Sequence, residues 1–390
     1  MSTFKVSCNF YGFFKFLIKC IMISSLIGSS YSMCDFKGIF NFGDSNSDTG
    51  GLYSAFPAQP YPYGMTYFQK PVGRSSDGRL IVDFLAEALG LPYLSPYLQS
   101  IGSDYTHGAN FATSAATVLL PKSSFFVSGL SPFSLQIQLK QMQQFKAKVH
   151  DFHKRDPLKF SSCDSKINNI PSPDIFGKSI YMFYIGQNDF ISKIAYGGGL
   201  NGLKNYLPEI IFQIASAIKE LYAQGGRTFM VLNLGPVGCY PEYLVELPHT
   251  SSDLDEHGCI ISHNNAVDDY NKLLKETLSQ TRETLQDTSL IYVDTNSALL
   301  ELFHHPTSYG LKYTTKACCG HGGGDYNFDP KVLCGNMLAS ACEDPQNYVS
   351  WDGIHFTEAA NKIVAKAILN GSLYDPPFLL HKLCDLQPID

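Results

Sequence analysis

Residues 40–51 read FNFGDSNSDTGG and place Ser45 in a short polar turn directly after an apolar run. A serine hydroxyl is a weak nucleophile until a base takes its proton. Histidine is the usual base, because its pKa lies near neutrality. Among eleven histidines, His355 has the most telling surroundings, Trp351-Asp352-Gly353-Ile354-His355-Phe356-Thr357. Asp352 precedes it by three positions, and Gly353 permits a tight turn that brings the carboxylate back to the imidazole. Such a carboxylate fixes the tautomer and stabilises the imidazolium. Thr357 is placed to cap a following helix. An Asp-Gly turn beside an incidental histidine is the plain structural alternative. Asp104-Tyr105-Thr106-His107 repeats the spacing, so spacing alone does not choose. Context favours Asp352 and His355, because His107 abuts Gly108-Ala109-Asn110, a segment needed for another task.

That task is stabilising the negative charge that ester cleavage builds on the carbonyl oxygen. Donors aimed at that oxygen are each worth about 2.7–4 kcal/mol. The Gly108 backbone N–H suits the role, since no side chain blocks approach. The Asn188 amide, just after an apolar run, suits it too; an Asx-turn is its alternative. Asp44 and Asp48 read as turn-formers beside the nucleophile. The chain holds no G-x-S-x-G elbow of the α/β-hydrolase kind. Serine triads nonetheless recur on unrelated folds.

Four short runs read as strands: 38–43, 179–185, 228–234 and 289–294. Each is nearly continuous in apolar residues, the pattern of strands buried on both faces of a parallel sheet. A fifth is expected near 103–112. Between them lie helical patterns at 78–89, 203–224, 262–286 and 358–369, with Asp77 as a cap and Gly90 as a stop for the first. The alternation implies an α/β fold with a sheet covered on both sides. In such sheets ligands bind beyond the carboxyl ends of the strands, where both Ser45 and Gly186-Gln187-Asn188-Asp189 fall. Segments 155–178 and 304–337 read as surface loops. No linker divides the chain, so one domain over 33–390 is expected.

Residues 1–32 read as a secretory leader: early lysines, the apolar stretch Cys20–Ile27, then small residues. The apolar stretch is too short to span a bilayer, so no integral membrane span is expected. A secreted, extracellular or cell-wall location follows, with the vacuole as a further option. A net charge of −6 argues against nucleic acid as a partner. Of eleven cysteines, Cys8 and Cys20 fall in the leader and nine remain, an odd number that leaves at least one thiol free or paired between chains. Oxidising export conditions favour disulfides. Proximity suggests Cys239 with Cys259, and Cys318 and Cys319 with Cys334 and Cys342. No zinc spacing accompanies Cys318, Cys319 and Cys334, so no metal is expected. Asn370-Gly371-Ser372 is an N-glycosylation sequon, which makes Asn370 a glycan acceptor candidate.

Four blocks stand in order: Phe42-Gly43-Asp44-Ser45 with Asp48-Thr49-Gly50, Gly108-Ala109-Asn110-Phe111-Ala112, Gly186-Gln187-Asn188-Asp189 and Asp352-Gly353-Ile354-His355. Together they resemble the plant GDSL esterase/lipase family of the SGNH hydrolase superfamily. Ala317-Cys318-Cys319-Gly320, Tyr326-Asn327, Cys334-Gly335 and Trp351-Asp352-Gly353 resemble its early-nodulin-like branch. The resemblance implies a three-layer α/β/α, flavodoxin-like fold with a mainly parallel central sheet. It implies Ser45 as nucleophile, His355 as base and Asp352 as its orienting group. The oxyanion hole would comprise the Ser45 N–H, Gly108 and Asn188, with no cofactor. The second block, GANFATSAAT, lacks the glycine pair common after its first alanine. The expected activity is hydrolysis of small-molecule or carbohydrate esters, with short acyl groups preferred by analogy. Acyl transfer through the same intermediate is the alternative, as is a catalytically silent carbohydrate- or partner-binding protein.

Overall fold

The computed structural model describes residues 34–155 and 169–390; the expected leader and Cys163 lie outside the described residues. The apolar runs form five parallel strands: β1 (Gly38–Gly43), β2 (Gly108–Asn110), β3 (Ser179–Tyr184), β4 (Thr228–Leu232) and β5 (Ser289–Val293). A two-residue strand, β6 (Tyr374–Asp375), pairs antiparallel with β5 at the edge. The order across the sheet is β6-β5-β4-β3-β1-β2. Every residue of β1, β3 and β4 is buried, which is why these strands lack polar alternation. β2 is shorter than the run expected over 103–112. A turn consumes its start, with Gly108 N–H donating to Tyr105 O at 3.1 Å. β6 escapes sequence reading because two residues carry no period.

Helices cover both faces, giving the three-layer α/β/α architecture. Those used below are α1 (Gly51–Ala55), α2 (Ile81–Ala88), α3 (Leu135–Arg155), α4 (Gln187–Tyr196), α5 (Gly199–Ala223), α6 (Pro241–Glu246), α7 (Ile261–Glu283), α8 (Thr295–His304) and α9 (Glu358–Leu369). α5 packs on α3, α4 and α7, whereas α9 packs on α2 and α8. α3 was not read from the sequence. Its glutamines and lysines mask a stripe of Leu135, Leu139, Met142, Phe145 and Val149 that is buried on the sheet. Aromatic rings fill the space between layers: Phe42 stacks on Phe111 and Phe183, and Phe40 on Phe176. Each such ring contributes about 1.5–3 kcal/mol by leaving water.

Asp77 does not cap α2. Its Oδ1 accepts the Glu358 N–H at 2.7 Å, at the start of α9. Asp83 serves α2 instead, accepting the Leu80 N–H at 2.9 Å while pairing with buried Arg74. A tertiary partner claims Asp77, while a carboxylate three positions on from Leu80 serves α2.

Four disulfides close the described residues: Cys34–Cys384, Cys239–Cys259, Cys318–Cys342 and Cys319–Cys334. The last three join cysteines that lie close in sequence. Cys34–Cys384 spans 350 positions, beyond what proximity suggests. Long loops forfeit most denatured-state entropy when closed. Replacing both Cys34 and Cys384 by serine is expected to lower unfolding free energy by about 2–5 kcal/mol, read by chemical denaturation of the oxidised protein.

Candidate active site

From β1 the chain passes to β2 on one side and later returns to β3 on the other. The order of strands therefore reverses between β1 and β3, the point beyond whose carboxyl ends such sheets place a ligand crevice. Ser45 lies two residues past β1, at this point. Its turn is fixed from several directions. Asp44 N–H donates to Tyr184 O at 3.2 Å, while Asp44 Oδ1 accepts from the Asn46 backbone and side chain at 3.0 and 3.1 Å. Asp48 accepts the N–H groups of Gly50, Gly51, Leu52 and Ser114. Both aspartates thus act as turn-formers. Gly43 admits no side chain, since a Cβ would lie 2.2 Å from Ser47 Oγ and 2.6 Å from Tyr184 O. Beneath the turn, buried Asn41 and Asn110 bond to each other at 2.8 Å, and both donate to Ser47 O. Asn110 belongs to a block quoted from the sequence; Asn41 was not singled out, although an asparagine inside an apolar strand is itself a signal.

Opposite the turn stands the loop 350–357. Asp352 Oδ1 accepts the N–H groups of Ile354 and His355 at 3.0 and 2.8 Å. Gly353 takes φ +98°, and a Cβ there would meet the Phe328 ring at 2.3 Å. The turn thus returns the carboxylate to the imidazole, with Asp352 Oδ2 2.7 Å from His355 Nδ1. The other ring nitrogen, Nε2, lies 2.7 Å from Ser45 Oγ. Because the ionised carboxylate only accepts, Nδ1 carries the proton and Nε2 is free to accept from the serine hydroxyl. Thr357 caps α9 through its hydroxyl, at 3.2 Å from Ala360 N–H.

Charge reinforces the geometry. Burial pushes the Asp352 carboxyl up, but the His355 charge and the bonds from His355 and Ile354 outweigh it, leaving Asp352 below its ordinary value. Burial pushes His355 down, but Asp352, followed by Asp44 and Glu242, outweighs it and leaves His355 above its ordinary value. Asp44, desolvated, is raised to about 6. Glu242, on α6 and tied to the loop through its N–H to Gly353 O at 3.1 Å, is raised by burial and by Glu246 to about 7.

The anticipated oxyanion donors fare differently. Gly108 stands away from Ser45. It pairs with Ile39, four residues before the end of β1, so about 13 Å of strand separates it from the carboxyl edge. Its N–H is already given to Tyr105. The segment that follows β2 crosses the edge instead, with Thr113 N–H bonded to Gly43 O at 3.3 Å. There Ala115 holds a left-handed φ of +62°, unusual for a residue with a Cβ, and its N–H has no acceptor among the described residues. Ser45 N–H likewise has none among them. Asn188, in the first turn of α4, donates from Nδ2 to Ala116 O at 2.9 Å, so its side chain lies against this same segment. Asp189 anchors the segment further, accepting the N–H groups of Val118 and Leu119 at 2.6 and 2.9 Å. His107 is set apart: its Nδ1 meets Lys37 O at 2.9 Å, before the start of β1 and at the far end of that strand from Ser45.

Two cavities open on this molecule without Ser45, Asp352 or His355 in their walls. One, of about 440 Å³, is lined by Thr49, Tyr53, Ser54, Gln59 and Gln99 among others. The other, of about 250 Å³, lies between residues 117–130 and α4. Among the described residues, no group of three His, Cys, Asp or Glu side chains is arranged to hold a metal ion.

The GDSL-like lipase/acylhydrolase family model matches residues 39–368. A GDSL esterase/lipase of Arabidopsis thaliana is 60% identical over 361 residues, covering 90% of this chain and 92% of the relative. The GDSL esterase/lipase ENOD8 of Medicago truncatula is 42% identical over 359 residues, covering 90% of each. An Arabidopsis thaliana relative named alpha-L-fucosidase 3 is 41% identical over 360 residues, covering 90% of this chain and 95% of the relative. The strand order, the placement of Ser45 just past β1 and these matches agree: the chain belongs to the GDSL esterase/lipase family of carboxylic-ester hydrolases.

Proposed function

We propose that this protein is a secreted serine esterase that cleaves short-acyl esters of carbohydrates or other plant metabolites through an acyl-enzyme. The observation that carries the reading is the continuous relay Ser45 Oγ–His355 Nε2 and His355 Nδ1–Asp352 Oδ2, each 2.7 Å long. As Ser45 Oγ attacks the ester carbonyl, His355 takes its proton and Asp352 stabilises the resulting imidazolium. The tetrahedral oxyanion is met by the N–H groups of Ser45 and Ala115 and by the Asn188 amide, with Ala115 replacing Gly108 in the role first expected. The imidazolium returns its proton to the departing alcohol, leaving an ester on Ser45. Water, deprotonated by the same imidazole, then frees the acid and restores the hydroxyl. Export is supported by the leader pattern over 1–32 and by four disulfides. At Asn370, Oδ1 accepts Ser372 N–H at 2.8 Å in an exposed turn, which leaves Nδ2 accessible to a glycan. The relative named as a fucosidase favours one second reading, glycoside cleavage, which needs two carboxylates flanking the scissile bond.

Ser45→Ala is expected to abolish hydrolysis of p-nitrophenyl acetate while leaving the circular dichroism spectrum unchanged. Retained turnover would remove Ser45 from the mechanism, and release of p-nitrophenol from its fucoside by that variant would favour the second reading. Asn188→Ala is expected to reduce kcat by about 10²–10³-fold with a smaller change in KM. Steady-state kinetics with p-nitrophenyl acetate read both.

Activity and stability should respond to pH in opposite senses. A carboxyl whose pKa rises on folding contributes fully when protonated, and that contribution is lost as pH climbs through the folded value. Asp44 and Asp77, each at about 6, and Asp189 and Glu242, each at about 7, all act this way. His355, raised by its carboxylate partners, adds to the same trend. Asp352, held low, is already ionised throughout this range. Between about pH 5 and about pH 8 the melting temperature is therefore expected to fall. Turnover should rise over the same interval, because the base works only when neutral.

A further inference from the structure

Asp352 has a second partner that the three-residue relay does not use. The Tyr63 hydroxyl donates to Asp352 Oδ2 at 2.9 Å, to the same oxygen that holds His355 Nδ1. The two residues lie 289 positions apart. We infer that Tyr63 is a positioning residue of the catalytic site, sharing Asp352 Oδ2 with His355 and thereby setting how basic the imidazole is. The inference rests on the reading of His355 as the base.

Three observations support it. The carboxylate is fully engaged: Oδ1 takes two backbone N–H groups, and Oδ2 takes the imidazole and the phenol. The Tyr63 ring is held in place by its edge contact with Trp351, at 6.1 Å and 73° between planes. It packs in a small satellite core with Cys318, Cys319 and Cys334, around the two disulfides beside the loop. Finally, burial and the Asp352 charge keep the phenol protonated to well above its ordinary value, so it remains a donor wherever the base operates.

The consequence follows from what each donor does to the shared oxygen. A phenol bond draws density from Oδ2 and weakens its hold on an imidazolium. Without that bond, Oδ2 serves His355 alone, the imidazolium is stabilised more, and the base becomes neutral only at higher pH. The other charged or titratable groups facing this pair are Asp44 and Glu242 toward His355, and Glu242 and Tyr53 toward Asp352. All of them remain in a Tyr63 variant, so the shift isolates the phenol.

The test is the pH profile of kcat/KM on p-nitrophenyl acetate for wild type, Tyr63→Phe and Tyr63→Met. Both variants remove the donor and keep apolar volume against Trp351. The acid limb is expected to move upward by about half a pH unit or more in each, with KM little changed. An acid limb that stays in place or moves down in a folded variant overturns the inference. A second measurement needs only the native protein with isotope-labelled tyrosine. The shielded Tyr63 hydroxyl proton should give a slowly exchanging resonance that titrates together with His355, and a resonance that does not respond to that titration also overturns it. Ser45→Ala separates the two levels of argument. If that variant still turns over substrate, the catalytic reading fails; if it is inactive while the Tyr63 variants keep the wild-type profile, only the role of Tyr63 fails.

Discussion

The 2.7 Å hydrogen bond between Ser45 and His355 joins residues 310 positions apart, and much of the fold serves to hold its two ends. Neither end sits on a regular element. Ser45 lies in a turn whose backbone is satisfied by Asp44, Asp48, Asn41 and Asn110. His355 lies in a loop whose backbone is satisfied by Asp352 and Ser350. Loops positioned this way combine the reach of irregular chain with the precision of a scaffold, because the backbone groups just named have buried partners that would be costly to abandon. The two ends also differ in kind. One is fixed by the central sheet through Tyr184 and Gly43. The other is fixed by the start of α9 and by the satellite core around Trp351.

Much of the scaffold was legible in the sequence because of what burial demands. Runs 179–185, 228–234 and 289–294 are nearly continuous in apolar residues because both faces of those strands are covered. β6 and α3 were not legible, for opposite reasons. β6 has too few residues to show any period, and α3 carries its apolar stripe among so many glutamines and lysines that composition hides the spacing. The assignment of Asp77 as the cap of α2 failed because Glu358, brought near only by folding, competes for the same carboxylate.

The candidate site divides along a chemical line. Ser45, His355 and Asp352 could be found by type, since few side chains can serve as nucleophile, base or orienting group, and the structure brings these three into contact. A backbone N–H carries no such signature. Gly108 was chosen for its small size, yet any residue can present an amide, and what matters is where the chain crosses the sheet edge. That crossing occurs at Thr113–Ala116, where an alanine sits in a conformation that glycine would adopt more readily. Asn188 and Asp189 hold the same segment from α4, one through a donated bond to Ala116 and the other by accepting two. The local conformation around Ala115 is thus imposed by tertiary contacts, which a single sequence does not display.

The bridge between Cys34 and Cys384 makes a covalent ring of nearly all of the described chain. A protease that cuts any one exposed loop inside that ring would leave both pieces fastened to each other, with the sheet still enclosed between them. Such a nicked molecule would migrate as a single band until a reductant is added, so electrophoresis without thiol would overstate how much intact polypeptide a preparation contains.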